Sequence, residues 1–408
     1  MRVYRAALIG IGGFGAQHVN ILKQLADEGS LRIVAFADPN VGASQRSFET
    51  LTAIGAVHYT DYAEMLTLHP DIDFVAIVTP IATHKPICIQ VMRMGFHVLV
   101  EKPPAVTIND LDEMIAAQRK TGRLCQVNFQ NTSGQAFQTL LERLRSGSLG
   151  KVEHVVGVGM WKRLRSYYDR TRWAGKLVSD GQYVLDGTFN NPLAHLLNNC
   201  LLAAGVGDGH ESLPESVQAE LYHVNDIEGD DASCIRTVMA NGARVHFYAM
   251  LCHEANELPC ITVYGTQGEA HWNYRNELTI RARNGEEKWA YGSSDLMRSM
   301  YLNLMEAIES MDKPLFSPIE ACRSFVLVSN GAYESARAIH AIPGEFINER
   351  EEGSSTVRLL PDLSANMKFA AANRQLYSEY PFPWAVSTEP FSLEGYRRFE
   401  LPAGMASN

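Results

Sequence analysis

The sequence predicts two domains of different class: an N-terminal α/β domain with a doubly wound parallel sheet, and a C-terminal α+β domain with an open, mostly antiparallel sheet and helices on one face. Three observations predict this arrangement. The chain has 408 residues, which is too many for one compact core. Apolar runs alternate with helix-like segments over about the first 125 residues. After about residue 130, short runs of alternating polarity separated by turn residues take over.

The elements of the first domain follow one another as strand and helix. The sequence predicts strands at 5–11, 31–38, 56–60, 73–80, 97–103 and 124–129, and helices at 15–29, 43–55, 62–69, 85–95 and 109–122. The strands are continuously apolar instead of alternating. Strands of that kind, joined by helices, indicate a parallel sheet that is covered on both faces.

A glycine motif joins the first strand to the first helix. Residues 10–15 read Gly-Ile-Gly-Gly-Phe-Gly, the G-x-G-x-x-G pattern of Rossmann domains. Gly10 permits a tight turn, Gly12 lets the backbone approach a pyrophosphate, and Gly15 allows the helix to pack closely on the strand. Because the motif lies between a predicted strand and a predicted helix, we expect a dinucleotide at this turn. An incidental glycine turn is the alternative.

The end of the second strand indicates which dinucleotide. Asp38 stands there, where a carboxylate binds the ribose 2′-hydroxyl and repels a 2′-phosphate. Its neighbours Pro39 and Asn40 supply no cation, although Arg46 is close in sequence. The sequence therefore predicts NAD as the cofactor in preference to NADP.

The fifth strand ends in Glu101-Lys102-Pro103. In a doubly wound sheet, the carboxyl ends of the strands face the cofactor. Pro103 biases Lys102 toward an extended backbone and away from a helix, which directs the ammonium toward the cofactor. An oxidised nicotinamide is cationic, so its charge and partial desolvation are expected to lower the pKa of Lys102. A surface salt bridge at a strand end is the alternative interpretation.

The second half has a different pattern. Helices are predicted at 135–150, 192–205, 297–311 and 318–341, an extended run at 151–162, and strands at 216–224, 231–240, 243–251, 260–266, 268–274, 277–283 and 287–292. We predict domains at 1–127 and 128–344, and a C-terminal extension at 345–408 that packs on the second domain or on a partner subunit.

Several of these features occur together in one family. The glycine motif, Thr79-Pro80 followed by His84, and Glu101-Lys102-Pro103, with an open antiparallel sheet after them, resemble the Gfo/Idh/MocA oxidoreductases over roughly residues 4–340. That family includes glucose–fructose oxidoreductase and inositol dehydrogenase. The resemblance implies that Lys102 is catalytic and lies beside the nicotinamide and the reacting hydroxyl. The residues expected on the cofactor side are Gly10, Gly12, Gly13, Phe14, Gly15, Asp38, Thr79, Pro80, His84, Glu101 and Lys102.

The resemblance also implies a catalytic histidine in the second domain. The family carries Asp-x-x-x-His there, and the helix containing His195 matches best, but Asn191 occupies the aspartate position. Asp186 is the nearest upstream carboxylate, so the partner that orients His195 is Asn191, Asp186 or neither. A second alignment keeps Asp186 in its usual place and puts Asn190 at the histidine position. A third interpretation is a helix histidine that only packs beneath the sheet.

The substrate residues are expected between these two regions. Aromatic and basic side chains suit a polyhydroxylated ring that carries a carboxylate or phosphate, and a solvated surface loop is the alternative. The candidates are Trp161, Tyr168, Arg172, Trp173, Asn190 and Asn191.

Bulk properties exclude several classes of partner. A net charge of −10 argues against nucleic acid and anionic membranes, and no apolar run reaches the roughly 18 residues of a membrane span. Seven scattered cysteines fit reduced thiols in the cytoplasm. None of the 13 histidines stands four residues from another, so we predict no metal site. An exposed sheet face would favour a homodimer or homotetramer, as in the family.

These observations predict an NAD-dependent oxidoreductase that transfers a hydride between the nicotinamide and a ring carbon of a sugar, inositol or related polyol. Two alternatives stay open: an NAD-dependent glycosidase of the same fold, and a ligand sensor that binds the dinucleotide without turnover. Glu101-Lys102-Pro103 argues against the sensor, and nothing in the sequence argues against the glycosidase.

Overall fold

A computed structural model describes residues 2–206, 212–283, 285–292 and 294–405. The chain divides into two compact units. Unit 1 comprises Met1–Ser133 and Asp295–Cys322, and unit 2 comprises Gly134–Ser294 and Arg323–Asn408. None of the described helices is both long and apolar enough to cross a bilayer.

Unit 1 contains a six-stranded parallel sheet in the order β3-β2-β1-β4-β5-β6. Its strands are β1 (Tyr4–Ile9), β2 (Leu31–Ala37), β3 (Val57–Tyr59), β4 (Phe74–Ile77), β5 (His97–Val100) and β6 (Cys125–Val127). Its first helices are α1 (Gly15–Asp27), α2 (Gln45–Ala53), α3 (Tyr62–Leu68), α4 (His84–Arg93) and α5 (Ile108–Thr121). The predicted doubly wound parallel sheet is confirmed.

The sheet of unit 1 forms because its central strands are apolar along their whole length. Every residue of β4 is buried, and β1 and β5 are buried except at one position each. Strand order reverses between β1 and β4. In such sheets, ligands bind outside the carboxyl ends of the strands at this point.

Unit 2 begins with α6 (Gln135–Arg145) and is built on a ten-stranded mixed sheet. Its next elements are β7 (Val152–Met160), α7 (Arg165–Tyr168), β8 (Val178–Ser179), β9 (Gln182–Tyr183), α8 (Ala194–Gly205), β10 (Pro214–His223), β11 (Ala232–Met239), β12 (Arg244–Met250), β13 (Cys260–Gly265), β14 (Gly268–Asn273), β15 (Glu277–Ala282) and β16 (Gly285–Ala290). The chain then returns to unit 1 through α9 (Leu296–Glu309). The remaining elements, in unit 2, are α10 (Arg323–Ala336), β17 (His340–Ala341), β18 (Asn348–Glu352), β19 (Ser355–Leu359), α11 (Pro361–Asn373) and β20 (Phe391–Ser392).

The large sheet runs β16-β15-β14-β13-β7-β12-β11-β10-β17, and β20 pairs with β10. Its pairs are antiparallel except β7–β12 and β10–β17, so the predicted mostly antiparallel sheet is confirmed. Helix α8 packs on one face of β7, where a Cβ at Gly157 would lie 2.5 Å from Cys200 Sγ. Alternate residues of β7, such as Val156 and Met160, therefore face the opposite side.

That opposite side is covered by the chain itself. We call residues 360–391 the C-terminal strap. Its buried side chains join those of β7, β10, β11 and β12 in one apolar cluster: Leu360, Leu363, Met367, Ala371, Leu376, Tyr377, Phe382 and Trp384. The exposed sheet face that favoured a dimer or tetramer is therefore not found over these four strands, because the strap shields their apolar side chains.

Candidate functional site

The glycine turn of unit 1 has the shape that the sequence predicts. Gly10 has a φ of +88°, and a Cβ there would lie 2.2 Å from the carbonyl oxygen of Val78, which follows β4. A Cβ at Gly15 would lie 2.6 Å from the carbonyl oxygen of Gly10. Gly10 is required by its left-handed backbone and by the lack of space for a side chain. Gly15 is required by the lack of space alone.

The turn leads into α1, whose start is suited to an anion. Phe14 is the N-cap residue of this helix, and no side-chain capping hydrogen bond is found there in the described structure. The first turn of the helix holds no acidic residue. The helix dipole and the first N–H groups favour negative charge here. Glycines at 12 and 13 keep this approach free of side chains, since a Cβ at Gly13 would meet nothing within 4 Å. The positive end of the helix dipole and the open glycine turn fit a dinucleotide pyrophosphate.

Asp38 lies immediately after β2 and is tied to the glycine turn. Its Oδ2 accepts the N–H of Ile11 at 2.9 Å, and its Oδ1 accepts the N–H of Asn40 at 2.8 Å. The carboxylate is partly exposed and keeps further lone pairs, so it remains able to accept ribose hydroxyls. Arg46 is exposed on α2.

His84, at the start of α4, links two segments that the sequence assigns to the cofactor side. Its Nε2 lies 2.9 Å from the carbonyl oxygen of Thr79, and its Nδ1 lies 3.0 Å from that of Pro103. Burial lowers the pKa of His84, against the opposing effect of these two carbonyls. The imidazole therefore joins the turn that contains Pro80 to the residue after Lys102.

Lys102 directly follows β5 and is half-buried. The carboxylate of its neighbour Glu101 points into unit 1, where Oε1 accepts the side-chain N–H of Asn128 at 2.5 Å, and Oε2 accepts the backbone N–H of Lys102 at 3.1 Å. Glu101 is 7% exposed. Since β1, β4 and β5 are adjacent and parallel, Lys102 and the glycine turn lie at the same edge of the sheet.

In unit 2, the structure brings together two of the predicted catalytic residues. Asn191 Nδ2 donates to Asp186 Oδ1 at 2.9 Å, and the N–H of Gly175 donates to Asp186 Oδ2 at 2.7 Å. Arg170 Nη2 lies 3.9 Å from the same Oδ2. His195 is in the first turn of α8, four residues after Asn191.

Asn190 is held in a different place. Its Nδ2 donates to the Tyr333 hydroxyl at 3.2 Å, and its Oδ1 accepts the Ser329 hydroxyl at 2.7 Å. Both partners belong to α10 and are buried. The amide of Asn190 thus bonds to the neighbouring helix, whereas Asn191 bonds to Asp186.

The predicted substrate residues fall into two groups. Trp161 and Trp173 are the ends of a stacked series in which two arginines lie over three aromatic rings. The guanidinium–ring distances are 4.8 Å for Arg163–Trp161, 5.0 Å for Arg163–Tyr167, 3.7 Å for Arg170–Tyr167 and 5.1 Å for Arg170–Trp173. Tyr168 and Arg172 line an open cavity of about 910 Å³ beside this series.

Two groups near these sites were not predicted. His18, in α1, contacts Glu101, and Asp230 is fully buried beside Thr188, two residues after Asp186. A histidine on the apolar face of the first helix and paired acids at a strand start were the available signals in the sequence. Across the described residues, no group of three or more His, Cys, Asp or Glu side chains could hold a metal ion.

Comparison with known proteins assigns the chain to a family. Residues 4–129 match the family model described as oxidoreductase family, NAD-binding Rossmann fold, and residues 137–271 match the GFO/IDH/MocA C-terminal domain. The two matches together cover more than half of the chain. The chain belongs to the Gfo/Idh/MocA family. Unit 1 therefore contains the family's NAD-binding Rossmann domain.

Curated relatives in the family have more than one activity. The chain is 30% identical over 149 residues to an inositol 2-dehydrogenase of Salmonella paratyphi B, a match that covers 36% of this chain and 43% of the relative. It is 29% identical over 179 residues to a glycosyl hydrolase family 109 protein of Saccharopolyspora erythraea, covering 42% and 38%. The chain thus spans about two fifths of the length of these relatives.

A solved structure matches over more of the chain. The WlbA dehydrogenase from Bordetella pertussis, in complex with NADH and UDP-GlcNAcA, is 25% identical with a TM-score of 0.67, and the match covers 82% of this chain and 97% of that one. Levoglucosan dehydrogenase, in complex with NADH, has a TM-score of 0.69 at 18% identity, which shows the shared fold alone.

Proposed function

We propose that this Gfo/Idh/MocA protein is an NAD-dependent oxidoreductase that transfers a hydride between the nicotinamide and a ring carbon of a sugar, inositol or related polyol. The observation that carries the proposal is the position of Lys102. It follows β5 at the sheet edge that also carries the glycine turn, between Glu101 and the residue bound by His84. The inositol 2-dehydrogenase relative supports the substrate class.

The cofactor would be held by residues of unit 1. The glycine turn and the N-terminal end of α1 would bind the pyrophosphate, and Asp38 would accept the ribose hydroxyls. NAD, when bound, supplies the hydride acceptor. Lys102 would hydrogen-bond to the substrate oxygen, where a lysine can donate a hydrogen bond when protonated and accept one when deprotonated, which a permanently charged arginine could not do.

We further propose that His195 takes the hydroxyl proton as the hydride leaves. The hydrogen bond between Asp186 and Asn191 supports a shared role in orienting His195, with the carboxylate one side chain farther away than in the family pattern. Asn190 is a poorer candidate for the proton acceptor, because an amide is not basic and its two polar atoms already bond to Tyr333 and Ser329.

The aromatic series and the cavity beside it support a polyhydroxylated substrate. Aromatic faces pack on sugar C–H groups, and arginines bind a carboxylate or phosphate in a bidentate manner. Arg172 is exposed and lines the cavity with Tyr168. Trp161, Tyr168, Arg172 and Trp173 remain our candidates for substrate contact.

A second candidate function is an NAD-dependent glycosidase. The match to the Saccharopolyspora erythraea glycosyl hydrolase family 109 protein favours it, since that match is of similar identity to the inositol 2-dehydrogenase match. A non-catalytic sensor has less support, because a sensor would not require a lysine at the hydride-transfer position.

One screen tests these alternatives. NADH formation is measured with a panel of sugars, sugar nucleotides and cyclitols, beside product release from chromogenic glycosides. We expect NADH formation with at least one polyol, and a loss of about 10² to 10⁴ in rate for Lys102→Met, with NAD affinity retained. Lys120→Met, an exposed lysine in the last turn of α5, is the matched control. Glycoside cleavage without net NADH would overturn the dehydrogenase proposal.

We keep the cytoplasm as the proposed location and a homodimer or homotetramer as the proposed assembly. The location is supported by the cysteines, all seven of which are free thiols in the structure. The assembly rests on the family resemblance alone, since the strap covers part of the sheet face.

A further inference from the structure

A buried chain of hydrogen bonds lies behind Lys102. His18 Nε2 contacts Glu101 Oε1 at 2.9 Å, and His18 Nδ1 contacts the Tyr301 hydroxyl at 2.6 Å. His18 and Tyr301 are fully buried, and all three residues belong to unit 1. The three side chains come from α1, the end of β5 and α9.

The chemistry of Glu101 determines where the imidazole proton lies. An ionised carboxylate only accepts hydrogen bonds, so His18 donates from Nε2. In the neutral imidazole, Nδ1 is then an acceptor, and the Tyr301 hydroxyl donates to it. The order of donation therefore runs from Tyr301 to His18 to Glu101. Every member of this chain has a partner, as buried polar groups require.

These donors oppose the cost of burying a carboxylate. Burial alone would raise the pKa of Glu101, yet the hydrogen bonds from His18 and Asn128 and the charge of Lys102 lower it. The titratable groups that face Glu101 are His18, His84, Lys102 and Tyr301. Glu101 thus supplies a fixed negative charge next to Lys102, and its Oε2 binds the Lys102 backbone N–H.

We propose that His18, supported by Tyr301, is a positioning residue that fixes the Glu101 carboxylate and, through it, both the backbone and the charge environment of Lys102. This inference rests on the proposed function only for the role of Lys102. Without the Nε2 donor, the Glu101 carboxylate would have one hydrogen bond fewer in a buried place and would turn away from its position beside the Lys102 backbone toward other donors. Lys102 would then lose an adjacent negative charge and release its own proton at lower pH.

The test measures Lys102 directly, without turnover. Competitive acetylation of the amines of the cofactor-free full chain is followed by mass spectrometry as a function of pH. For His18→Leu, we expect the midpoint of Lys102 acetylation to fall by about one pH unit, the usual effect of losing an opposite charge. His18→Gln keeps a hydrogen-bond donor, so its Lys102 midpoint should lie close to that of the unchanged protein. Tyr301→Phe should give a smaller shift in the same direction.

The chain offers matched controls. Tyr59 and His69 form a second tyrosine–histidine hydrogen bond in unit 1, at 3.0 Å, and neither contacts Glu101 in the described structure. Tyr59→Phe and His69→Leu should leave the Lys102 midpoint unchanged. If His18→Leu does not fold, the comparison of His18→Gln with Tyr301→Phe still tests the same order of donation.

An unchanged Lys102 midpoint in His18→Leu and Tyr301→Phe would overturn the inference. So would a fall of equal size in His69→Leu. The result is separate from the proposed function: a shifted midpoint in a protein that oxidises no polyol would refute the proposed function and leave the positioning role of His18 standing. In an active enzyme, His18→Leu should shift the pH profile of kcat toward lower pH, with the Kd for NAD nearly constant.

Discussion

The Asn191 side chain donates a hydrogen bond to the Asp186 carboxylate over 2.9 Å. Asn191 stands four residues before His195, where the family carries an aspartate, so the substitution had placed the orienting carboxylate in doubt. The hydrogen bond places the Asp186 carboxylate beside the Asn191 amide. A second donor, the N–H of Gly175, fixes the other oxygen of Asp186 at 2.7 Å. The carboxylate is therefore held in one orientation.

The two asparagines before α8 should differ in what they affect. His195→Ala is expected to lower the rate by about 10² to 10⁴ if His195 is the general base. Asn190→Ala removes two buried hydrogen bonds to α10 and should lower the free energy of unfolding by about 1–3 kcal/mol with little effect on rate. Steady-state kinetics and urea unfolding of both variants test this. A rate that depends on Asn190 and not on His195 would show that our alignment of the second domain is wrong.

Cofactor choice should follow Asp38. Its carboxylate should repel a 2′-phosphate, so we expect tighter binding of NAD than of NADP. Asp38→Ala should narrow the difference between the two affinities, because it weakens the binding of NAD and relieves the repulsion of NADP. The variant also loses the bond to the Ile11 N–H in the glycine turn, which adds to the loss of NAD affinity. Calorimetric titration with both oxidised cofactors measures the ratio, and Arg46→Ala controls for the neighbouring cation. Tighter NADP binding by the unchanged protein would refute the assignment.

Asp230 should make stability depend on pH. It is fully buried, and burial raises its pKa to about 7, against hydrogen bonds from Thr188. Between its unfolded pKa of 3.8 and about 7, the folded state binds more protons, so this residue lowers stability as pH rises through that window. Asp230→Asn stays neutral and should remove a penalty of a few kcal/mol near pH 8, at about 1.4 kcal/mol per pKa unit.

Urea unfolding near about pH 5 and about pH 8 measures this effect. Asp230→Asn should have a larger free energy of unfolding than the unchanged protein, and this gain should be greater at the higher pH. Asp312→Asn, at an exposed position after α9, is the control and should show no such difference. An equal effect of Asp230→Asn at both pH values would mean that the carboxyl does not titrate in this range.

The C-terminal strap should stabilise unit 2 and keep its sheet face covered. Trp384 is buried and packs on Tyr222 and Phe382, with ring centroids 5.0 and 4.9 Å away. Trp384→Ala should cost about 3–5 kcal/mol of unfolding free energy. Light scattering should show concentration-dependent association of the variant beyond that of the unchanged protein, because apolar strand residues become accessible. Phe369→Ala, at a 59% exposed position in the strap, is the control and should change neither the free energy of unfolding nor the association.

Much of this protein follows from local sequence patterns. The continuously apolar runs predicted the parallel sheet, because strands buried on both faces leave no polar side to alternate with. Gly10 and Gly15 predicted the tight turn. In the structure, a side chain at Gly10 would collide with Val78, and one at Gly15 would collide with Gly10. Helix α8 was predicted at 192–205 and occurs at Ala194–Gly205. In these cases, the residues that determine the structure are neighbours in the chain.

Tertiary structure decided what depends on distant residues. The tail was expected to pack on the second domain or on a partner subunit, but the sequence did not indicate which surface it covers. In the structure it covers four strands of the large sheet, since only a folded sheet has an apolar face to cover. Residues 295–322 return to unit 1, which brings Tyr301 to His18 across a separation of 283 residues. No local pattern encodes such a pairing. Which asparagine bonds to Asp186 and where the Glu101 carboxylate points were likewise set by the partners that folding placed around them, because a buried polar group takes the orientation that satisfies its hydrogen bonds.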